Sequence, residues 1–170
     1  MLHRIRAQKR SSLVNHSMGA RFKVLAVKRK ILFLCTGNSC RSQMAEAWTR
    51  ELKGDQLEAF SAGVEPQGVD PRAVRAMAEV GVDLGGARSK SVDEFPRVEM
   101  DYVVTLCSHA QESCPFFPAR TRLRHVPFDD PPRLAAEARS EDEAMAHYRR
   151  VRDEIRRFVE GLPGSLEQET

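Results

Sequence analysis

The sequence predicts a single-domain α/β fold: a three-layer sandwich around a mostly parallel central sheet of about four strands. Short apolar runs alternate with segments of helical periodicity, the order that builds a parallel sheet covered on both faces. The chain has 170 residues, enough for one domain with a real core, and its aliphatic content is ample while aromatics are few. No stretch approaches the roughly 18 apolar residues of a membrane span, so none is expected.

The elements follow in order. Residues 31–34 (Ile-Leu-Phe-Leu) read as a buried strand feeding a loop over 35–41. Met44, Ala45, Trp48 and Leu52 then recur at helical spacing, and Gly54 is a natural stop. Residues 57–61 alternate like a strand that ends at Ala62 and Gly63. Asp70 and Pro71 form an N-cap followed by proline at the first helical position, with Val74, Met77 and Ala78 as the inner face and Gly81 as the end. Ser91 and Glu94 have capping-box spacing for a short helical turn stopped by Pro96. Residues 102–106 are the second strong strand and end at Cys107, much as the first ends at Cys35. Residues 122–126 suggest a last strand, closing in the Pro-rich segment that holds Asp129 and Asp130. A final helix opens at Ser140 with Glu143 completing a capping box, lines its inner face with Tyr148, Val151, Ile155, Phe158 and Leu162, and ends at Gly161 and Pro163. The expected division is a basic extension over 1–29, the domain over 30–162 and a tail over 163–170.

Charge is distributed unevenly. The formal total is +3, yet residues 1–30 carry nine Lys or Arg and no acid, which leaves a net of −6 on residues 31–170. The basic segment lacks the apolar stretch of a secretory signal. It reads as a flexible solvated extension with Met18 a second candidate start, as an organelle-targeting segment, or as a basic arm for nucleic acid or anionic surfaces. Phe22, Val24, Leu25 and Val27 are available to pack against the body. A cytoplasmic protein without membrane or nucleic-acid partners is the expectation. With no secretory signal, Cys35, Cys40, Cys107 and Cys114 are not expected to form a structural disulfide framework, and their spacing matches no common zinc pattern.

The loop between the first strand and first helix carries the chemistry. A helix N-terminus is an anion site, because unpaired backbone N–H groups and the positive dipole end point at whatever sits there. The same field stabilises a thiolate, so Cys35 is the expected nucleophile. Arg41 adds a planar fork of donors suited to a tetrahedral oxyanion. Thr36, Gly37, Asn38, Ser39 and Cys40 fill the loop between them and are the expected binding residues with Arg41. In parallel sheets ligands bind at the carboxyl ends of strands, and Cys35, Cys107 and Asp130 all follow expected strands, so they converge at one edge.

The run Cys35-Thr-Gly-Asn-Ser-Cys-Arg41-Ser42-Gln-Met-Ala-Glu46 resembles the phosphate-binding loop of low-molecular-weight protein tyrosine phosphatases. It resembles more closely the thioredoxin-coupled arsenate reductases of the same fold. Ser61-Ala62-Gly63, the strand ending at Cys107, Cys114-Pro115, Phe128-Asp-Asp130-Pro131 and the helix around residues 149–155 carry the resemblance over about 30–160. It implies that Cys35 attacks arsenate, that Arg41 and the loop amides hold its oxygens, that Ser42 hydrogen-bonds the thiolate and Asn38 braces the loop, and that Asp130, rather than Asp129, is the general acid. It further implies that Cys107 attacks the Cys35 adduct and that Cys114 then attacks Cys107, giving a disulfide that thioredoxin reduces. Phosphate and sulfate are the implied competing oxyanions, and no flavin or nicotinamide signature is visible, so no cofactor is expected.

The relay makes a geometric demand. Positions seven apart on a helix lie roughly 10.5 Å apart along the axis, and a disulfide needs Cα atoms within about 7 Å. A helix over 108–113 in the reduced protein must therefore unwind on oxidation. Cys40 reads as structural or as an accidental redox partner of Cys35, and His109, His125 and His147 show no ligand-like spacing. The alternative activity is a phosphatase using Cys35, Arg41 and Asp130, against which stands the absence of an aromatic after Asp130-Pro131, where Pro132, Arg133 and Leu134 follow. A non-catalytic oxyanion-binding thiol sensor is a third class, and it leaves Asp130 unexplained. Some reductases that resemble the chain at Asn38, Glu46 and Ser61 hold a potassium ion there, with an aspartate where this chain has Lys90. Lys90 then either takes the cation's position and pairs with Glu46 or is a solvated surface lysine.

Overall fold

Residues Arg29–Cys35 form strand β1, in which Ile31, Leu32, Phe33 and Leu34 have no solvent exposure. Successive side chains on a strand point to opposite faces, so this unbroken run is buried only if both faces of the sheet are covered. The computed structural model describes residues 27–95, 98–115, 117–118 and 120–168. Strands β2 (Leu57–Gly63), β3 (Tyr102–Thr105) and β4 (Arg122–His125) complete a sheet ordered β2-β1-β3-β4, and every pairing is parallel. β3 is also buried on both faces, whereas the edge strand β4 exposes Arg122 and Leu123. β2 runs two residues past the expected end because Ala62 and Gly63 pair with Leu34 and Cys35.

The chain leaves β1 for β2 on one side and returns as β3 on the other. The carboxyl ends of β1 and β3 therefore frame a topological switch point, where open α/β sheets bind ligands. Helix α1 (Arg41–Lys53) starts there and buries Met44, Ala45, Ala47 and Trp48, ending at Gly54. Helix α2 (Pro71–Ala78) is capped by the Asp70 carboxylate, which accepts the Arg72 and Ala73 amides at 2.7 and 3.4 Å. Its buried face is Ala73, Ala76 and Met77, not the expected Val74, Met77 and Ala78: Val74 is half-buried and Ala78 exposed. Two turns of helix do not fix the phase of an apolar stripe, and the small alanines are what face the packed interior.

The Ser91 turn forms as a 3₁₀ helix over Val92–Glu94 with both capping-box bonds, and Pro96 lies outside the described residues. Two further short helices are α3 (Ser108–Glu112) and α4 (Pro131–Ala135). Helix α5 (Glu141–Glu160) is capped by Ser140 Oγ, packs against α1, α2 and α4, and buries Met145, Tyr148, Val151, Ile155 and Val159. Phe158, expected on that face, is half-buried against the Phe128 ring, and Leu162 is buried just past the helix. Helix α6 (Gly164–Glu167) corrects the reading of 163–170 as a tail. Leu166 is buried, and Glu167 joins the Arg29 guanidinium and the Tyr102 hydroxyl. Four residues are too few to show a helical period. Val27 does not pack on the body, being 95% exposed, while Phe22, Val24 and Leu25 lie outside the described residues.

Candidate active site

Between β1 and α1 the backbone curls into a cradle because its carbonyls are tied outward. Cys35 O accepts from Val64 N at 3.3 Å, Thr36 O from Glu65 N at 2.9 Å, Gly37 O from Gln67 N at 3.0 Å and Ser39 O from Asp70 N at 3.0 Å. In a trans peptide the C=O and the following N–H point opposite ways. Anchored carbonyls thus turn the amides of the loop towards its centre, at the N-terminus of α1, where they suit an oxyanion. The bend requires Asn38 to adopt φ 45°, a left-handed conformation that asparagine tolerates better than most residues. It also requires Gly63: a Cβ there would lie 2.7 Å from both Asn38 N and Thr36 O.

Asn38 is buried with every hydrogen-bonding position used. Its Oδ1 accepts from Lys90 N at 2.7 Å and Gln43 Nε2 at 3.0 Å, and its Nδ2 donates to Ser42 Oγ and Ser61 Oγ at 2.9 Å each. This arrangement orients the amide and fixes the direction of the bonds beyond it. Ser42 Oγ accepts from Asn38 and lies 2.9 Å from Cys35 Sγ, so its own proton is available to a thiolate there. Ser61 donates to Glu46 Oε2. Glu46 also receives Lys90 Nζ at 3.2 Å and Arg50 at 2.9 Å, and the Lys90 and Glu46 side chains are each only 15% exposed. Lys90 therefore pairs with Glu46 rather than standing in solvent. A potassium ion held by Glu46 and Ser61 does not fit beside an ammonium on the same carboxylate oxygen.

Arg41 is nearly buried, donates to Phe128 O at 3.0 Å and meets Asp130 Oδ1 at 3.3 Å. Asp129 instead turns to Arg150, 2.8 Å away. A cavity of about 360 Å³ is lined by Cys35, Thr36, Gly37, Ser39, Cys40, Arg41, Asp70 and Asp130, among others. Of the two adjacent aspartates, only Asp130 reaches it. A larger cavity of about 700 Å³ lies on the other side of Glu46 and Lys90, lined also by Phe60, Arg88 and Phe95. It contains none of the cysteines, so chemistry rather than size selects the smaller one.

All four cysteines are free. Cys107 is the N-cap of α3 and Cys114 lies just beyond its end, so in this reduced form a helix separates them, which is the case in which the relay requires unwinding. Cys107 Sγ lies 3.4 Å from Thr36 Oγ1, which ties it to the Cys35 loop. Burial pushes the thiols of Cys40, within the loop, and Cys114, beyond α3, upward in pKa, holding both neutral.

Residues 30–170 match the family model described as low molecular weight phosphotyrosine protein phosphatase. The arsenate reductase of Halalkalibacterium halodurans is 47% identical over 128 residues, spanning 75% of this chain and 90% of its own. The chain belongs to the arsenate reductase branch of the low molecular weight phosphotyrosine protein phosphatase family. A solved arsenate reductase in its phosphate-binding state superposes with a TM-score of 0.65 at 28% identity, covering 82% of this chain and 99% of that one. The thioredoxin-dependent arsenate reductase of Corynebacterium glutamicum gives 0.60 at 26% identity, covering 85% and 65%.

Several residues of this family site escaped the sequence reading. Gln43 donates to Asn38 and to Arg88 O, Ser89 Oγ donates to the Gly37 and Asn38 carbonyls, and Asp70 reaches the cavity while accepting the Tyr148 hydroxyl at 2.6 Å. Gln43 sits beside the recognised loop, but the partner that ties it to the rest of the site, Arg88, is 45 positions away.

Proposed function

We propose that the protein is a thioredoxin-recycled arsenate reductase converting arsenate to arsenite. The observation that carries this reading is the second thiol: Cys107 hydrogen-bonds the loop that holds Cys35. Phosphoester hydrolysis has no use for it, whereas reduction by thiols requires it.

Cys35 attacks arsenic while Arg41 and the amides of Thr36 to Arg41 hold the oxygens and the charge that develops on them. The Ser42 proton stabilises the Cys35 thiolate before attack, with Asn38 holding Ser42 in place. Asp130 protonates the departing hydroxide as general acid. Cys107 then attacks the Cys35 sulfur, arsenite leaves, and a Cys35–Cys107 disulfide remains. Cys114 attacks Cys107, frees Cys35, and presents a Cys107–Cys114 disulfide to thioredoxin. Unwinding of α3, which is a single short turn with mostly exposed side chains, brings these two sulfurs together.

The assay is NADPH consumption through thioredoxin reductase and thioredoxin on adding arsenate, run beside aryl-phosphate hydrolysis. Arsenate- and thioredoxin-dependent consumption is expected. Efficient hydrolysis without reduction would make the protein a phosphatase, the reading that the shared loop and Asp130 also serve. Binding of phosphate with neither activity would make it an oxyanion sensor. No helix among the described residues is long and apolar enough to cross a membrane.

A further inference from the structure

The attack by Cys107 needs a thiolate, yet Cys107 is buried and its sulfur faces a hydroxyl rather than a base. That hydroxyl is Thr36 Oγ1, 3.4 Å away, and on its other side His109 Nδ1 lies at 3.3 Å. A threonine hydroxyl accepts one proton and donates another, so a thiol and an imidazole that both contact it are joined by a path for a proton. His109 is exposed on α3, two residues after Cys107, so a proton delivered to it passes on to water. We propose that His109 is the proton acceptor for Cys107, acting through Thr36. It is a positioning residue, since it touches neither arsenic nor either reacting sulfur, and its assignment rests on the reductase reading above.

The step balances. The Cys107 thiol proton moves to Thr36 Oγ1 as the Thr36 hydroxyl proton moves to Nδ1 of His109, which must begin as the Nε2–H tautomer. The Cys107 sulfur attacks the Cys35 sulfur of the arsenic adduct. The S–S bond forms, the S–As bond breaks, and its electron pair stays on arsenic, which goes from arsenic(V) to arsenic(III) and leaves as arsenite. Two cysteine sulfurs are oxidised to one disulfide, so this half-reaction takes no outside reductant. The imidazolium returns its proton to water or to the departing arsenite. The arrangement explains why the loop and the segment after β3 meet at Thr36: the residue that supplies an oxyanion-binding amide also conducts the proton that starts arsenite release.

The test is rapid-quench single turnover of the reduced protein with one equivalent of arsenate and no thioredoxin, reading arsenite release and the Cys35–Cys107 disulfide by mass spectrometry. Aryl-phosphate hydrolysis, which uses Cys35 but not Cys107, is measured alongside. His109→Asn keeps a polar group near Nδ1 but cannot take up the proton. It should slow disulfide formation about a hundredfold, the scale of general base catalysis, and leave any hydrolysis unchanged. His109→Ala should be equally slow and recover in imidazole buffer. Thr36→Val should show the same defect without imidazole rescue. Wild-type rates in His109→Asn, or a slow His109→Ala that imidazole does not restore, would overturn the proposal and leave His109 as an anchor for α3. A wild-type protein that releases no arsenite would overturn the reductase reading instead. The link is then judged by site-resolved iodoacetamide alkylation of Cys107, expected to slow in His109→Asn; an unchanged rate removes it.

Discussion

The two halves of the site are built in opposite ways. Around Cys35 the polar groups are buried and saturated: Asn38 makes four side-chain hydrogen bonds, and the chain continues through Ser61 to the Glu46–Lys90 pair. Around Cys107 and Cys114 a five-residue helix exposes Ser108, His109, Gln111 and Glu112 and buries only Ala110. A cradle for a developing charge works by being fixed before the charge appears. A relay between sulfurs must break its own helix, which low local stability permits. The difference teaches that, in the proposed mechanism, rigidity serves binding and the first attack while looseness serves the disulfide steps.

Breaking each half should give different failures. The largest effect is expected on the rigid side: Cys35→Ser should abolish both arsenate reduction and any phosphate-ester hydrolysis, with an unchanged circular dichroism spectrum, because a hydroxyl is a far weaker nucleophile than a thiolate. Sustained turnover in that variant would remove Cys35 from the mechanism. On the loose side Cys114→Ser should lose multiple turnover yet complete one, stalling with Cys35 joined to Cys107, which mass spectrometry after one equivalent of arsenate would reveal. Continued thioredoxin-linked turnover there would show Cys114 to be dispensable.

Smaller effects sharpen the comparison. Asp130→Asn should lower the rate of the first attack by roughly 10²-fold or more, the usual scale of a lost general acid. Asp129→Asn, which only weakens one contact of Arg150 and leaves its pairing with Glu154, should change it little; equal losses would show that the acid is misassigned. Lys90→Met leaves Glu46 half-buried with one exposed arginine and should cost about 1–3 kcal/mol in urea unfolding, together with a severalfold fall in catalytic efficiency. Wild type should be indifferent to replacing potassium with a bulky organic cation at equal ionic strength, while Lys90→Asp should gain a potassium response. Specific stimulation of the wild type by potassium would mean that the ammonium does not stand in for a cation.

How much of this was readable in the sequence depends on range. β1, β3, α1 and α5 announce themselves by period and by caps, and the Cys35–Arg41 loop by its position between strand and helix. α4 and α6 have too few residues to repeat a pattern, and the phase of α2 was decided by packing that its own residues do not encode. The same limit applies inside the site. Cys35, Arg41 and Asp130 are recognisable where they stand; the pairing of Lys90 with Glu46, 44 residues apart, was one of two alternatives that only the fold decides, and His109 acquires a partner only because β1 and β3 are neighbours in the sheet. The choice between Asp129 and Asp130 becomes physical only when one is seen to face Arg150 and the other the cavity.

The burial of Cys114 has a bearing on timing. A thiol that its surroundings keep protonated is a poor nucleophile and a poor target for stray oxidants. In the proposed relay the half-buried Cys114 thiol is held back as a nucleophile while α3 stands, and the unwinding that brings it to Cys107 would also expose it. In that proposed sequence solvation keeps the order of the sulfurs, as a clock escapement lets one tooth pass at a time. A variant that loosens α3 without touching any cysteine would open Cys114 to dissolved oxygen or peroxide, and would spend reducing equivalents on that oxidant with no arsenate present.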